Sequence, residues 1–150
     1  MNAVKIIAIT DTSSKIIEME WLKRAEAVHR QLRPHLPEDY VGRMKTVFAS
    51  GAEMAIATHD EEVLGVSVFR VLEKTYSGRE MYCDDLITDE AKRSTGVGHA
   101  LMQYMEALAR ERNCDCLTLD SGTHRQQAHK FYFREGMTIA SFHFIKSLKK

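Results

Sequence analysis

The chain has 150 residues, a length that suits one compact domain with its own hydrophobic core. Hydrophobic residues make up 44% and charged residues 28%, proportions that exclude a disordered chain. Lys plus Arg balances Asp plus Glu at 21 each, so no global basic field draws nucleic acid or anionic lipid, and a bound anion requires a local site.

Residues 4–10 are rich in Ile and Val and run into Asp11-Thr12-Ser13-Ser14, which predicts a first strand. The same segment lacks the basic start and small-residue cleavage site of a signal peptide. Ser13 or Ser14 is expected to cap a helix reaching about Leu32, with Ile16, Ile17, Met19, Leu22, Ala25 and Val28 on its apolar face. Pro34 and Pro37 interrupt that pattern, and a short second helix is expected from about Glu38, carrying Tyr40, Val41, Met44, Val47 and Phe48 inward. Residues 53–58, 63–72 and 80–88 read as three strands joined by hairpin turns. A Gly-punctuated loop follows, then a helix over 97–112 with Val97, Leu101, Tyr104, Met105 and Leu108 at helical spacing. Residues 116–120 predict a strand, 126–134 a helix ended by Gly136, and 139–148 a last strand. The order describes one mixed α/β domain over 1–150, with about four helices flanking a central mixed sheet of six or seven strands.

No run approaches the roughly 18 apolar residues of a membrane helix. Cys83, Cys114 and Cys116 are too few and too unevenly placed for a disulfide framework, and Cys114 and Cys116 lack the further ligands of a zinc site. The expectation is a cytoplasmic protein with no metal and no nucleic-acid or membrane partner.

Arg93-Ser94-Thr95-Gly96-Val97-Gly98 lies between a strand and the strongest helix. A helix start carries four unpaired amides and partial positive charge, and glycines let the backbone curl around an anion. Such a loop suits a pyrophosphate, with Arg93 adding a guanidinium, though the same residues also suit a plain helix entry without a ligand. A Walker loop needs Lys-Ser or Lys-Thr after the last glycine, where this chain has His99-Ala100. A dinucleotide fingerprint needs a third glycine where this chain has Leu101.

The remaining pattern, Arg-x-x-Gly-x-Gly, resembles the coenzyme A pyrophosphate loop of the GNAT superfamily of N-acetyltransferases. Asp85-Leu86-Ile87-Thr88 lies where that family has its fourth strand, and Ala128-His129-Lys130-Phe131-Tyr132-Phe133-Arg134-Glu135-Gly136-Met137 looks like its Ala-x-x-(apolar)-Tyr-x-x-x-Gly-Phe segment. The resemblance implies acetyl coenzyme A as co-substrate, with the pantetheine arm entering where a bulge splays the fourth strand from the fifth. It places cofactor contacts on Leu86, Ile87, Thr88, Arg93, Ser94, Thr95, Gly96, Val97, Gly98, His99, Ser121 and Ala128. This chain departs from the family where it reads Asp120-Ser121-Gly122 in place of an Asn, and in having only 14 residues after Gly136. That short end implies either a missing strand or a neighbouring subunit completing the sheet edge, hence a homodimer.

The implied activity is transfer of an acetyl group to an amine of a small molecule or a protein, by direct attack in a ternary complex. A backbone amide at Leu86 or Ile87 would polarise the thioester carbonyl, and Tyr132 would act as general acid at the sulfur. By its own neighbours, Tyr132 reads as an aromatic on a buried helix face. Asp84 and Asp85 are candidates for binding or deprotonating a cationic amine; on a regular strand they would point to opposite faces. His124 and His129 are further candidate bases, each also readable as a surface or cap histidine. The alternative function is a coenzyme A binding sensor or partner module without turnover.

Overall fold

The computed structural model describes residues 4–93 and 95–149. It divides into two compact units, one ending at Leu119 and the other beginning at Asp120.

The first unit holds a five-stranded sheet in the order β1 (Lys5–Ala8), β2 (Glu53–His59), β3 (Glu62–Lys74), β4 (Gly78–Thr88) and β5 (Cys116–Leu119). The first four strands pair antiparallel, and β5 joins β4 in parallel after the crossover helix α3 (Val97–Glu111). Five strands rather than six or seven make up the sheet of the described residues.

The first helix, α1 (Met19–Leu32), begins later than its Ser13–Ser14 cap predicted. Asp11 is the reason. Its carboxylate accepts the amides of Ser13 (2.8 Å) and Lys15 (2.9 Å), and Ser14 takes φ +64°, closing a turn instead of opening a helix. The returning chain then bridges Ile16 to Thr10. The second helix, α2 (Tyr40–Ala49), is capped by Asp39, whose side chain accepts the Gly42 amide at 2.9 Å.

Alternation along β2 and β3 sorts the two faces of the sheet. Met54, Ile56, Val66 and Val68 pack with Leu22, Ala25 and Val28 of α1 and with Tyr40, Met44 and Phe48 of α2. The opposite parity meets α3: the ring of Phe69 packs edge-on to Tyr104, and Gly65 lies under the first turns of the helix. A Cβ at Gly65 would come within 2.8 Å of Val97 Cγ1 and 3.0 Å of Leu101 Cδ1, so the absent side chain is what lets α3 begin close to the sheet. At the other end of the helix, Arg112 forks onto Glu53 of β2, with Nη1–Oε2 at 2.5 Å and Nη2–Oε1 at 2.9 Å.

The second unit contains α4 (Gln126–Arg134). Residues 139–148, expected as a strand, have no regular secondary structure. A strand needs a ladder partner for its backbone, and none of the described strands pairs with this segment. Phe142, Phe144, Ile145 and Leu148 consequently stand 81–93% exposed.

Candidate active site

The strand β4 outruns its neighbour. Its pairing with β5 covers only Glu80 through Cys83, whereas its pairing with β3 continues to Thr88. Residues 84–88 are therefore bonded on one side only among the described strands, leaving backbone groups for an extended ligand. Leu86, Ile87 and Thr88 all lie in this one-sided stretch.

The departure begins at a bulge. Val68 opposes Asp85 and Phe69 opposes Cys83, so Asp84 is the extra residue. The bulge breaks the alternation that would have sent Asp84 and Asp85 to opposite faces, and both carboxylates are reached from the α1–α2 side. Asp85 Oδ2 lies 2.7 Å from His29 Nε2, and Asp85 Oδ1 accepts Arg33 Nε at 2.8 Å. Asp84 is gripped by Arg70, with Nε–Oδ1 at 3.0 Å and Nη2–Oδ2 at 2.6 Å, and the same guanidinium reaches Ser50 at the end of α2. Arg33 also donates to the Asp84 carbonyl at 3.1 Å. The two acidic residues thus arrive already paired with cations.

Burial acts to raise the Asp85 carboxyl, but the hydrogen bond from His29, together with the charge and hydrogen bond of Arg33, outweighs it and holds the group below its ordinary value of 3.8. Burial pushes the neighbouring Cys83 thiol well up, helped by the charges of Asp85 and Asp84, so it stays protonated and is no nucleophile.

After β4 the chain makes a short 3-10 turn (Glu90–Lys92) and enters the glycine loop. Gln31 of α1 clamps this connection: its Nε2 donates to Asp89 Oδ1 at 3.1 Å, and its Oε1 accepts the Glu90 amide at 2.9 Å. Thr95 Oγ1 donates to the Lys92 carbonyl at 2.5 Å. Gly96 is the N-cap residue of α3 at φ +86°, a left-handed conformation that suits glycine. A Cβ there would meet nothing within 4 Å. Gly96 brings no side chain to cap this helix start, unlike Asp39 at α2, and a helix start of this kind suits an anion. Ser94 lies outside the described residues.

In the second unit, Tyr132 is half-buried on α4 with its ring 5.6 Å from that of Phe131. Ala128 is one turn earlier on the same helix. His129 Nε2 lies 2.8 Å from the Gly122 carbonyl, which holds its proton as a donor, and His124 is exposed. Ser121 Oγ is enclosed yet has no hydrogen-bond partner among the described residues. An enclosed hydroxyl of this kind fits a contact supplied by a bound amide, such as those of pantetheine. Among the described residues, no group of three or more His, Cys, Asp and Glu side chains could hold a metal ion.

His29, Gln31, Arg33 and Arg70 escape the sequence reading, and Tyr40 was read only as an inward-facing residue of the second helix. One signal pointed to His29: Leu22, Ala25 and His29 fall on a single helical stripe, and His29 is 1% exposed. Arg33 follows it by four residues, on the same face.

A family model described as the Acetyltransferase (GNAT) family matches residues 16–137. The chain is 29% identical over 132 residues to the uncharacterized N-acetyltransferase YhdJ of Bacillus subtilis, covering 85% of this chain and 91% of that one. It is 31% identical over 64 residues to an aminoalkylphosphonate N-acetyltransferase of Salmonella typhimurium, covering 43% and 42% of the two chains. Among solved structures, an aminoglycoside N-acetyltransferase in complex with CoA superposes with a TM-score of 0.83 at 14% identity, over 99% of this chain and 97% of that one.

Proposed function

Because the chain belongs to the GNAT acetyltransferase family, we propose that it transfers the acetyl group of acetyl coenzyme A to a primary amine, by direct attack within a ternary complex. The acceptor in this reading is a small molecule. Support comes from the names of the proteins it resembles, whose substrates are an aminoalkylphosphonate and an aminoglycoside. The family match runs across both compact units, which supports one catalytic domain over the whole chain.

The observation that carries the reading is the start of α3, entered through a left-handed Gly96 that brings no side chain, after a β4 that has parted from β5. In this assignment Arg93, Ser94, Thr95, Gly96, Val97, Gly98 and His99 hold the pyrophosphate, where backbone amides and one guanidinium meet its charge. Leu86, Ile87 and Thr88 offer backbone groups to the pantetheine arm, with Ser121 and Ala128 as further contacts. Acetyl coenzyme A supplies an activated thioester. The chain polarises its carbonyl through the amide of Leu86 or Ile87, and Tyr132 gives a proton to the departing thiolate. Asp84 and Asp85 act at the reacting centre by shape and charge. A carboxyl held below 3.8 is a weak base for an ammonium at neutral pH, so the amine loses its proton to water.

The test is a thermal melt. Acetyl coenzyme A at about 100 times its dissociation constant stabilises the folded state by about 2.7 kcal/mol and raises the midpoint, as coenzyme A does and NAD and ATP do not. Gly96→Val, which forces a β-branched residue into φ +86°, is expected to abolish the shift. An unchanged midpoint for the wild-type protein at millimolar cofactor would remove the functional reading.

We also propose that the protein works in the cytoplasm as a homodimer, in which a second copy supplies the strand missing from the sheet. Three free thiols support the compartment. The exposed Phe142, Phe144, Ile145 and Leu148, together with a sheet that ends at β5, support the dimer. Sedimentation velocity is expected to return twice the chain mass, and a monomer across the micromolar range rejects the dimer.

A further inference from the structure

The three groups Tyr40, His29 and Asp85 form a hydrogen-bonded line from the core to the β4 bulge. The Tyr40 hydroxyl is 2.8 Å from His29 Nδ1, and His29 Nε2 is 2.7 Å from Asp85 Oδ2. Tyr40 and His29 are 2% and 1% exposed, so the line ends blind in the core. It cannot pass a proton to water at that end. Burial, with the charges of Glu26 and Asp85, pushes the Tyr40 phenol well above its ordinary value of 10.0, so the hydroxyl keeps its proton at any working pH.

An ionised carboxylate only accepts, so Nε2 must carry the ring proton toward Asp85. The Tyr40 hydroxyl then donates to the bare Nδ1, and every donor and acceptor of the line is satisfied. The arrangement has the logic of an Asp–His pair with its tautomer fixed from behind. Its working end is the carboxylate at the bulge, one residue before Leu86.

We propose that His29, locked in one tautomer by Tyr40, is a positioning residue that holds the Asp85 carboxylate ionised at the β4 bulge, and through it the backbone amides of Leu86 and Ile87. The proposal rests on the acetyltransferase reading for its catalytic consequence, but the locked tautomer stands on the geometry alone. The groups facing the line are Glu26 and Arg30 from α1, Arg33 just after that helix, Tyr40 from α2, Arg70 from β3, and Cys83 and Asp84 from β4. Arg33 holds the other carboxylate oxygen, so the two cationic or donor contacts on Asp85 act together from α1 and the residue just after it. A folded-state value below 3.8 means that Asp85 contributes stability above about pH 3.8, and that this contribution is lost as pH falls through the folded value. Removing His29 moves that loss to higher pH.

The experiment is a nuclear magnetic resonance titration of the full chain. The His29 ring is expected to show Nε2 protonated and Nδ1 bare, and the Asp85 carboxyl to titrate below 3.8. His29→Leu is expected to move that titration upward, and His29→Gln, whose amide nitrogen keeps a donor toward Asp85, to restore most of it. Tyr40→Phe leaves the ring seated and takes away the donor to Nδ1, so it carries the same test if His29→Leu does not fold: the Nδ1 resonance is expected to lose its hydrogen-bond shift while Nε2 stays protonated toward Asp85, and an Nδ1 resonance unchanged by the substitution overturns the lock. A ring protonated at Nδ1 in the wild type, or a titration of Asp85 indifferent to His29→Leu, overturns the proposal. In turnover of 2-aminoethylphosphonate or sisomicin, His29→Leu is expected to lower kcat roughly 10- to 100-fold with KM for acetyl coenzyme A unchanged, and His29→Gln to recover much of it. An unchanged kcat in a folded His29→Leu protein overturns the positioning role. Failure of the acetyltransferase reading looks different: the midpoint ignores acetyl coenzyme A while the His29 and Asp85 signals behave as expected.

Discussion

Tyr132→Phe is expected to lower turnover on the order of 100-fold while leaving the acetyl coenzyme A melt shift intact. The substitution removes one hydroxyl and keeps the ring, so the edge-on packing against Phe131, 5.6 Å away, survives. What is lost in the proposed mechanism is the proton that meets the thiolate as the carbon–sulfur bond breaks. An acid in position contributes roughly 100- to 10,000-fold, and the lower figure is appropriate for a thiolate, which is a better leaving group than an alkoxide or amide ion. The measurement is the initial rate of thiol release with 2-aminoethylphosphonate or sisomicin as acceptor. Equal rates for the two proteins would leave Tyr132 as a packing residue. A protein that binds the cofactor and acetylates no amine in a wide panel would instead be a coenzyme A binding module.

The largest stability effect is expected at the far end of α3. Arg112→Met should destabilise the fold by about 3 kcal/mol, because it strands the Glu53 carboxylate, whose side chain is 8% exposed, without its forked partner. Breaking a buried pair costs more than the pair itself is worth, since the remaining charge keeps its desolvation penalty. The double variant Arg112→Met/Glu53→Met is therefore expected to recover most of the loss. Urea unfolding of the wild type, both single variants and the double variant gives the cycle directly. Losses below about 1 kcal/mol for Arg112→Met would mean that water reaches Glu53 and the pair behaves as a surface contact.

These two sites differ in how far the sequence announced them. Tyr132 was singled out because it falls within a motif resemblance: apolar and small residues at set spacing on one short helix, closed by Gly136. Arg112 and Glu53 were not, since an Arg after a helix and a Glu at the start of a strand are unremarkable until the fold sets them 2.5 Å apart across 59 residues. The glycine loop was legible for a similar local reason. Gly96 declares its left-handed backbone in its own identity, and the amphipathic run from Val97 declares the helix that follows.

The last strand shows the limit from the other side. Residues 139–148 have a convincing strand composition, yet a strand is a relation between two segments and composition names only one of them. Asp84 and Asp85 show it again, because alternation predicts opposite faces and only the bulge against Val68 and Phe69 turns both to one side.

By itself, then, the sequence determined what is local: most of the helical and strand periods, the glycine at the start of α3 and the family resemblance they make together. Tertiary structure alone decided the partners of the charged groups. His29 meets Asp85 across 56 residues, Gln31 meets Asp89 across 58, and Arg33 meets Asp85 across 52. The physical reason is range: hydrophobic periodicity and backbone preference act within a few residues, whereas an ion pair or hydrogen bond is specified by the approach of two surfaces, and that approach exists only once the core has packed.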